Sequence, residues 1–412
     1  MEDGRYLIIK LAWRNIWRNK RRTIITVSAV VFAVTLSIFS WCFAVGEHEQ
    51  MIDNTLKIHT GNLQVHDLGY WDDKTIYKSF APPEELISFL DNDKRIEAYV
   101  RRLNVDALIS SGADTDGVLL IGVEPERELK FSSIEKKKFR GEYLKPGDLE
   151  GIFLGETLAK NLNVDVGDKI VVICQDFYGG ISAEVYNLTG TFRSGSPEMD
   201  RSMAFINLAA VQYLLSMEGR VSEVSLFLSE SRALKKVARD IKGIVDLEEY
   251  EVMTWDELLP ELVQVIELDN VFGYIFFGMI MLVVIFGILN TILMSVMERY
   301  REFGVMMALG TKPANLVRLI LTESFFIAVL GVIVGNILGF AIAYYYTVVP
   351  FDLSSYSASL ETFGMDPYIY TKIYVWVFLL TDIIIVLSTL LSALYPAIKA
   401  SRLKPVRALR YV

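Results

Sequence analysis

Four long, almost entirely apolar stretches stand out in the hydrophobic pattern of this chain. They occupy residues 24–46, 271–297, 319–348 and 373–397. A helix rises 1.5 Å per residue, so each stretch is long enough to cross about 30 Å of hydrocarbon. The pattern therefore predicts four transmembrane helices, which are separated by polar segments of very unequal length.

The longest polar segment, residues 47–270, mixes strand-like and helix-like patterns. Strand-like runs with period-two alternation or continuous apolar character occupy 62–66, 95–110, 117–123, 169–175, 183–192, 203–207 and 223–229. Helix-like runs occupy 82–92, 155–164, 208–217 and 231–243. Residues 176–200, rich in Gly, Ser and acidic residues, predict an exposed hairpin or loop. These patterns predict a large α+β domain between the first and second transmembrane helices.

Both ends of this domain are predicted to be helical stalks that lead into the membrane. After the first apolar stretch, residues 47–59 contain neither Gly nor Pro, so the helix is expected to continue beyond the bilayer. Before the second stretch, Thr254 is the predicted N-cap of a helix, with Glu257 three residues later in a capping box. Pro260 either kinks that helix or marks its first turns.

The second apolar stretch runs directly into residues 298–318, which stay helix-forming although they are charged. Helical spacing allows an ion pair of Glu298 with Arg301 or of Glu302 with Arg299. An apolar stripe follows, formed by Phe303, Met306, Met307 and Gly310 and widened by Val305, Ala308 and Leu309. Such a helix either docks into a groove of a soluble partner or rests on the lipid surface.

The charge distribution predicts the orientation in the membrane. The chain carries a net charge of −9, yet residues 1–23, 295–318 and 397–412 together hold sixteen Lys and Arg against four acidic residues. Because Lys and Arg accumulate on the cytoplasmic side, both termini and the 298–318 segment are predicted to be cytoplasmic. The 47–270 domain and the 349–372 loop are then extracytoplasmic. Residues 1–23 predict an amphipathic helix whose cations face anionic membrane lipid, and residues 398–412 a basic tail.

Few polar groups interrupt the predicted spans. Gly331, Gly335 and Gly339 follow each other at four-residue spacing, which lets a neighbouring helix approach closely, either inside one protomer or across a dimer seam. Glu323 and Asp382 are the acidic residues of the spans. Each has either a functional role or a structural one, which would place Glu323 near Arg318 and Asp382 in a local pair.

Candidate chemistry is sparse elsewhere in the chain. The histidines are His48, His59 and His66, and their spacing matches no metal motif. Ser, Cys and acidic residues form no recognisable catalytic constellation. The phosphate-binding pattern Gly-x-x-x-x-Gly-Lys-Ser/Thr does not occur in the sequence. We therefore predict no catalytic site, no metal site and no nucleic-acid partner.

Several motifs resemble the FtsX-like and MacB-type permeases of ABC transporters. "ILNTILMSVMERYREFGVMMALGTKPANLVRLILTESFF" looks like the FtsX-like permease domain, which would span residues 271–412. "LAWRNIWRNKRRT" resembles the N-terminal helix of MacB-type permeases, and "LGETLAKNLNVDVGDKI" is similar to the MacB-like periplasmic core domain of Lol-type lipoprotein-releasing permeases. The resemblance implies that residues 298–318 are a coupling helix, which contacts an ATPase. The matching positions are Glu298, Arg299, Arg301, Glu302, Gly304, Ala308, Leu309 and Gly310.

The resemblance also implies a function. The chain is then a non-enzymatic permease subunit of the inner membrane, without a cofactor of its own, whose separate ATPase partner binds ATP and Mg²⁺. A homo- or heterodimer of permeases would couple ATP hydrolysis to periplasmic motion, which is called mechanotransmission. Lol-type relatives imply release of lipoproteins toward an outer membrane. The alternatives are MacB-like efflux of peptides or amphiphiles with a periplasmic adaptor, and regulation of periplasmic cell-wall hydrolases.

Overall fold

The computed structural model describes residues 2–356 and 367–402, and the chain divides into two compact units. The membrane unit contains the residues up to Glu49, Ile266–Asp352 and the residues from Tyr368 onward. The sheet unit contains Gln50–Val265 and the residues between Leu353 and Pro367. Parts of the predicted 349–372 loop and basic tail, residues 357–366 and 403–412, lie outside the described residues.

Within the described residues, the membrane unit has four helices that are long and apolar enough to cross a membrane. These membrane helices are, from first to fourth, Lys20–Thr55, Pro260–Glu298, Pro313–Val348 and Val375–Ser401. A separate helix, Glu2–Arg18, precedes the first one, and a shorter helix, Tyr300–Ala308, links the second to the third. Between the third and fourth, the two-residue strands Phe351–Asp352 and Tyr368–Ile369 pair antiparallel. The fold class expected from the hydrophobic pattern is therefore confirmed.

The first two membrane helices are longer than their apolar stretches. The first is continuous to Thr55 and ends in a π-helical turn, Leu56–Thr60, before Gly61 at a φ of 73°. The second begins at Pro260, which lacks the backbone N–H that a first helical turn leaves unbonded anyway. The predicted capping box of Thr254 and Glu257 is present, but it caps a separate short helix, Trp255–Leu258. The boundary between the two compact units falls inside both long helices.

Ten strands form the sheet unit. In chain order they are β1 Leu63–Asp67, β2 Ile96–Ser110, β3 Thr115–Val123, β4 Lys138–Gly141, β5 Gly151–Gly155, β6 Lys169–Gln175, β7 Ile181–Phe192, β8 Met203–Asn207, β9 Glu223–Leu228 and β10 Tyr250–Thr254. Strands β2, β3, β8, β5, β7 and β6 pair in that order, and β6 pairs again with β2, so six strands close into a ring. The first half of β2 pairs instead with β9, which is followed by β1 and β10. One strand therefore belongs to both parts of the sheet.

Helices cover the sheet through their apolar faces. They are Glu84–Asn92, Pro125–Phe131, Glu156–Asn161, Pro197–Ser202, Leu208–Leu215, Leu234–Lys242 and Trp255–Leu258. In the Leu234–Lys242 helix, buried Val237, Ala238 and Ile241 follow the i, i+1, i+4 spacing of one helix face. Burying these faces against the apolar side of the strands gives the unit a core of its own.

Three short strands differ from the expectations. Strands β4, β5 and β10 were absent from the strand predictions; β5 is buried at every position, so it lacks the period-two alternation that marks a half-exposed strand. Residues 176–180 form the turn of a hairpin between β6 and β7, which agrees with the hairpin alternative for this region. Strand β7 begins at Ile181, two residues before the strand predicted over 183–192, and a helix that was not predicted occupies Pro197–Ser202.

A buried ion cluster lies where β2 passes from one part of the sheet to the other. The Arg102 side chain is fully buried and donates to Glu128 at 2.6 Å and to Glu223 at 3.2 Å. Its guanidinium also lies 5.0 Å from the centre of the Phe131 ring. Two carboxylates in such a site need a cation beside them, because an unpaired buried charge costs several kcal/mol.

We predict that Arg102→Leu lowers the free energy of unfolding of the sheet unit by about 3–5 kcal/mol, since it leaves two buried carboxylates without their cation. The neighbouring Arg101→Leu is the matched control. Arg101 pairs with Glu124 on a partly exposed surface, where a lost pair costs about 1 kcal/mol or less. Urea-dependent pulse proteolysis of the full-length protein measures both, and equal effects of the two variants would contradict the prediction.

Candidate functional site

The 298–318 segment contains a short helix, Tyr300–Ala308, bounded by two breaks, and its last six residues already belong to the third membrane helix, Pro313–Val348. The second membrane helix ends at Glu298, and Arg299 leaves the helical conformation with φ −98° and ψ 14°. The Tyr300–Ala308 helix follows. It ends where Thr311 and Gly310 donate their backbone N–H groups to the carbonyls of Met306 and Met307, both at 3.0 Å, with Gly310 at a φ of 93°. This is a Schellman motif, and its left-handed position favours glycine.

One face of the Tyr300–Ala308 helix packs inside the membrane unit. Phe303 is 1% exposed and belongs to the same buried cluster as Leu316 and Ile320 of the third membrane helix. Gly304 is buried beside it, and Met306 contacts the same cluster. The inward part of the predicted apolar stripe therefore anchors the helix to its own chain.

The opposite face is open. Arg301, Val305, Ala308 and Gly310 are exposed, and the Leu309 side chain is 82% exposed. The prediction that Val305, Ala308 and Leu309 widen one apolar stripe with Phe303 is thus wrong in detail, because Val305 lies about 200° around the helix from Phe303 and Leu309 lies beyond the helix end. The residues predicted to contact a partner are divided between a buried face and an exposed one.

The charges of the segment pair both locally and at long range. Arg299 donates to Glu302 at 3.2 Å, which is one of the two predicted i,i+3 pairs. Glu298 pairs with Arg22 at 2.9 Å rather than with Arg301. Burial acts to raise the pKa of Glu302, but hydrogen bonds from Arg18 and Arg299 outweigh it and hold this pKa below its ordinary value. Glu302 therefore stays ionised at neutral pH.

Glu323 of the third membrane helix anchors the break between the second helix and the segment. Arg299 Nη1 donates to both of its carboxylate oxygens, at 3.0 and 3.1 Å. Asn15 Nδ2 donates to Oε1 at 2.6 Å. Both ionic side chains are only about one-eighth exposed, so the pair is largely shielded from water. Glu323 thus contacts Arg299 and Asn15 and not Arg318, the neighbour that the sequence suggested.

The sequence interpretation missed the part that the N-terminal residues play in this site. It assigned their cations to lipid headgroups, whereas Arg18 Nη2 contacts both oxygens of Glu302 at 2.9 Å and Arg22 contacts Glu298. The helix that carries Arg18 also packs through Trp13 against Phe326, with ring centres 5.4 Å apart. Nearly 300 positions separate these residues from their partners, so no helical spacing could have revealed the pairs.

Asp382 is engaged by a neighbouring helix. Asn336 Nδ2 of the third membrane helix donates to Asp382 Oδ2 of the fourth at 2.9 Å. Among the described residues, neither Asp382 Oδ1 nor Asn336 Oδ1 has a hydrogen-bond partner, and both atoms are buried. Asp382 is therefore paired, but with a residue of another membrane helix 46 positions away and not with a neighbour in the sequence.

The glycine stripe faces the first membrane helix of the same chain. A Cβ atom on Gly331 would lie 2.5 Å from Val30 Cγ1, and one on Gly335 would lie 2.6 Å from Val34 Cβ. A Cβ on Gly339 would lie 3.1 Å from Ile38 Cβ. The absence of side chains thus lets the first and third membrane helices pack at close range within one protomer.

The two histidines whose side chains the structure describes, His48 and His66, belong to different compact units. His48 lies in the membrane unit, where its Nε2 is 2.7 Å from Asp269 Oδ2. His66 lies in β1 of the sheet unit, buried, with Nε2 2.9 Å from Gln64 Oε1. The side chain of His59 is outside the described part of the chain. Within that part, no three His, Cys, Asp or Glu side chains are grouped as a metal ion would require.

Two family models match this chain. Residues 23–244 match the MacB-like periplasmic core domain, and residues 274–405 match the FtsX-like permease C-terminal domain. The first match covers the first membrane helix and most of the sheet unit. The second covers the remaining membrane helices together with the 298–318 segment.

Several relatives align with most of this chain. A lipoprotein-releasing system transmembrane protein, LolC, from Xylella fastidiosa is 26% identical over 340 residues, which cover 80% of this chain and 81% of that protein. An uncharacterized ABC transporter permease from Methanocaldococcus jannaschii is 22% identical over 428 residues, covering 98% of this chain and 97% of the relative. A macrolide export ATP-binding/permease protein, MacB, from Burkholderia pseudomallei is 21% identical over 372 residues, or 82% of this chain and 52% of that protein.

The glycine contacts predict a position-specific response to larger side chains. Gly335→Leu should lower the stability of the detergent-solubilised protein by about 1–3 kcal/mol, because the new side chain collides with Val34. Gly278→Leu in the second membrane helix is the control, since a Cβ there meets no atom within 4 Å. Size-exclusion chromatography after heating measures the amount of folded protein that remains for each variant. A similar loss of folded protein for both variants would show that close packing at Gly335 is not the cause.

Proposed function

Because this chain belongs to the family of ABC-transporter permeases that carry a MacB-like periplasmic core domain and an FtsX-like permease domain, we propose that it is the membrane subunit on which a separate cytoplasmic ATPase acts. The permease itself hydrolyses no ATP in this proposal. The ATPase binds ATP and Mg²⁺, and a second permease, identical or related, completes the assembly.

The proposed orientation places the 298–318 segment in the cytoplasm and the sheet unit in the periplasm. This orientation is supported by the charges: Lys and Arg are in excess in residues 1–23 and 295–318, although the whole chain has a net charge of −9. Four candidate membrane helices among the described residues give an even number of crossings, which puts both termini on one side, and the Lys and Arg excess favours the cytoplasm for that side. The protein is then a multi-pass protein of the inner membrane.

The observation that carries the proposal is the division of the Tyr300–Ala308 helix into an anchored face and an open one. Phe303 fixes the helix in the membrane unit, while Leu309, Val305 and Arg301 remain exposed. A short helix that exposes apolar side chains beside charged ones suits a groove on the surface of a soluble protein. We assign that groove to the ATPase subunit.

Motion of this segment would be transmitted through the long helices. The segment follows the second membrane helix after the single break at Arg299, and that helix extends without interruption from Glu298 back to Pro260, across the boundary of the two compact units. The acids of the spans, Glu323 and Asp382, are each bonded within the chain and are not free to line a hydrophilic path. These features support mechanotransmission over conduction.

For the cargo we propose lipoproteins, which the complex would release from the inner membrane toward an outer membrane. LolC of Xylella fastidiosa and LolE of Haemophilus influenzae, both lipoprotein-releasing system proteins, align with this chain over about four-fifths of its length. The chain spans only about half of the MacB relative, which is an ATP-binding/permease protein. The Lol-type proteins are therefore the better guide to cargo and subunit composition.

The ATPase contact can be tested at Leu309. Leu309→Glu places a charge at the apolar tip and removes the burial of one Leu side chain, about 2 kcal/mol, so affinity for the ATPase should fall at least tenfold. Leu247→Glu, an exposed leucine of the sheet unit, is the control and should leave affinity unchanged. The measurement is the amount of ATPase that co-purifies with each variant from native membranes. Equal retention by both would exclude Leu309 from the interface.

The cargo can be tested by mass spectrometry of the complex after gentle affinity purification. We expect a co-purifying ATPase and acylated lipoproteins that dissociate when ATP is added. An ATPase found with a periplasmic adaptor and without lipoproteins would replace lipoprotein release by efflux. A preparation that contains no ATPase would overturn the transporter proposal itself.

A further inference from the structure

Six ionic side chains join three separate parts of the membrane unit. Arg18 contacts Glu302, Arg22 contacts Glu298, and Arg299 contacts both Glu302 and Glu323. The cluster contains three cations and three acids, so its formal charges balance. Its members come from the N-terminal residues, from the 298–318 segment and from the third membrane helix.

Burial within the cluster is graded. The side chains of Arg299, Glu323 and Arg22 are 12–16% exposed, whereas Arg18, Glu302 and Glu298 are about half exposed. The shielded pairs are screened least by salt, and the exposed ones contribute less. Arg18, Glu302, Arg299 and Glu323 therefore form one connected series of pairs whose best-shielded members are Arg299 and Glu323, and Arg22–Glu298 is a separate pair at the residue before Arg299.

The two pairs with the N-terminal residues lie on either side of the break at Arg299. Arg22 of the first membrane helix binds Glu298, the last residue of the second, and Arg18 binds Glu302 of the Tyr300–Ala308 helix, which links the second and third membrane helices. Arg22 belongs to the first membrane helix, Lys20–Thr55, and Arg18 ends the helix immediately before it. Thr23 Oγ1 donates to the Ile16 carbonyl, which ties these two helices to each other.

We propose that Arg18 and Arg22 are positioning residues that clamp the 298–318 segment to the first membrane helix. The inference rests on the proposed function, because a clamped segment transmits ATP-driven motion to the first membrane helix as well as to the second. Both helices continue into the sheet unit, at Gln50 and at Val265 respectively. With the clamp in place, the two helices move together rather than one after the other.

Lipid binding is the competing role for these arginines. Both roles use cations near the membrane surface, but the geometry favours the clamp: Arg18 reaches both oxygens of Glu302, and Arg22 lies 2.9 Å from Glu298. Arg14, which is exposed on the helix that ends at Arg18, provides a matched cation for comparison. A lipid role predicts that Arg14 and Arg22 respond alike to charge reversal, and a clamp predicts that they do not.

The test is hydrogen–deuterium exchange of the full-length permease in nanodiscs that contain anionic lipid. Arg22→Glu should accelerate amide exchange in residues 300–309 about tenfold, since it converts an ion pair into a repulsion and loosens the helix. The double variant Arg22→Glu with Glu298→Arg should restore slow exchange. The single variant Arg22→Lys keeps the charge and should accelerate exchange less than Arg22→Glu does. Arg14→Glu should leave these amides unchanged. Equal acceleration by Arg14→Glu, or no rescue by the double variant, would overturn the clamp.

Transmission is tested on the same variants assembled with the co-purified ATPase. Arg22→Glu should keep the bound ATPase but lose most of the cargo-dependent stimulation of ATP hydrolysis, and the charge-swapped variant should regain it. A merely structural role would not produce that rescue. If Arg22→Glu loosens the helix while stimulation is unchanged, the clamp does not transmit motion and that part of the inference fails. If even the unaltered chain binds no ATPase, the proposed function fails, while the exchange data still decide whether the clamp exists.

Discussion

The pairing of Glu323 with Arg299 is the interaction on which the rest of the membrane unit depends. A carboxylate near the end of a membrane helix loses several kcal/mol of hydration unless a cation or hydrogen-bond donors replace the water. Arg299 provides that cation by leaving the helix that precedes it, and Asn15 adds a further donor. One charge requirement thus sets the break after the second membrane helix, the direction of the Tyr300–Ala308 helix and the position of the N-terminal helix.

Close packing of helix backbones holds the membrane helices together in addition to the ion pairs. In hydrocarbon the helices gain little from burying apolar side chains, so contact must come from backbones that approach closely. The glycines at 331, 335 and 339 provide this for the first and third membrane helices. The clamp at Arg22 and the glycine stripe therefore both hold the first membrane helix, the clamp against the end of the second helix and the glycines against the third. The ion pair fixes the end next to the 298–318 segment, and the glycines fix the part within the membrane.

The sheet unit also contains a buried charge that must be paired. Arg102 is buried where β2 leaves one part of the sheet for the other, and Glu128 and Glu223 neutralise it from a helix and from β9. A buried charge tolerates few arrangements of its neighbours, so the cluster holds three elements in register at the point where the closed ring of strands meets β9, β1 and β10. Both units thus place a paired arginine where separate elements meet.

The sequence by itself determined the number of membrane helices, the place of the domain between the first two, the capping box at Thr254 and the helical character of the charged segment. These features depend on composition, periodicity and contacts within a few residues, which a sequence displays directly. Tertiary structure alone decided which face of the Tyr300–Ala308 helix is open, that Glu298 binds Arg22 and not Arg301, and that β2 is shared by two parts of the sheet. Such choices depend on which distant side chains meet. A chain of 412 residues offers many cations to each acid, and only packing and the cost of an unpaired buried charge select among them.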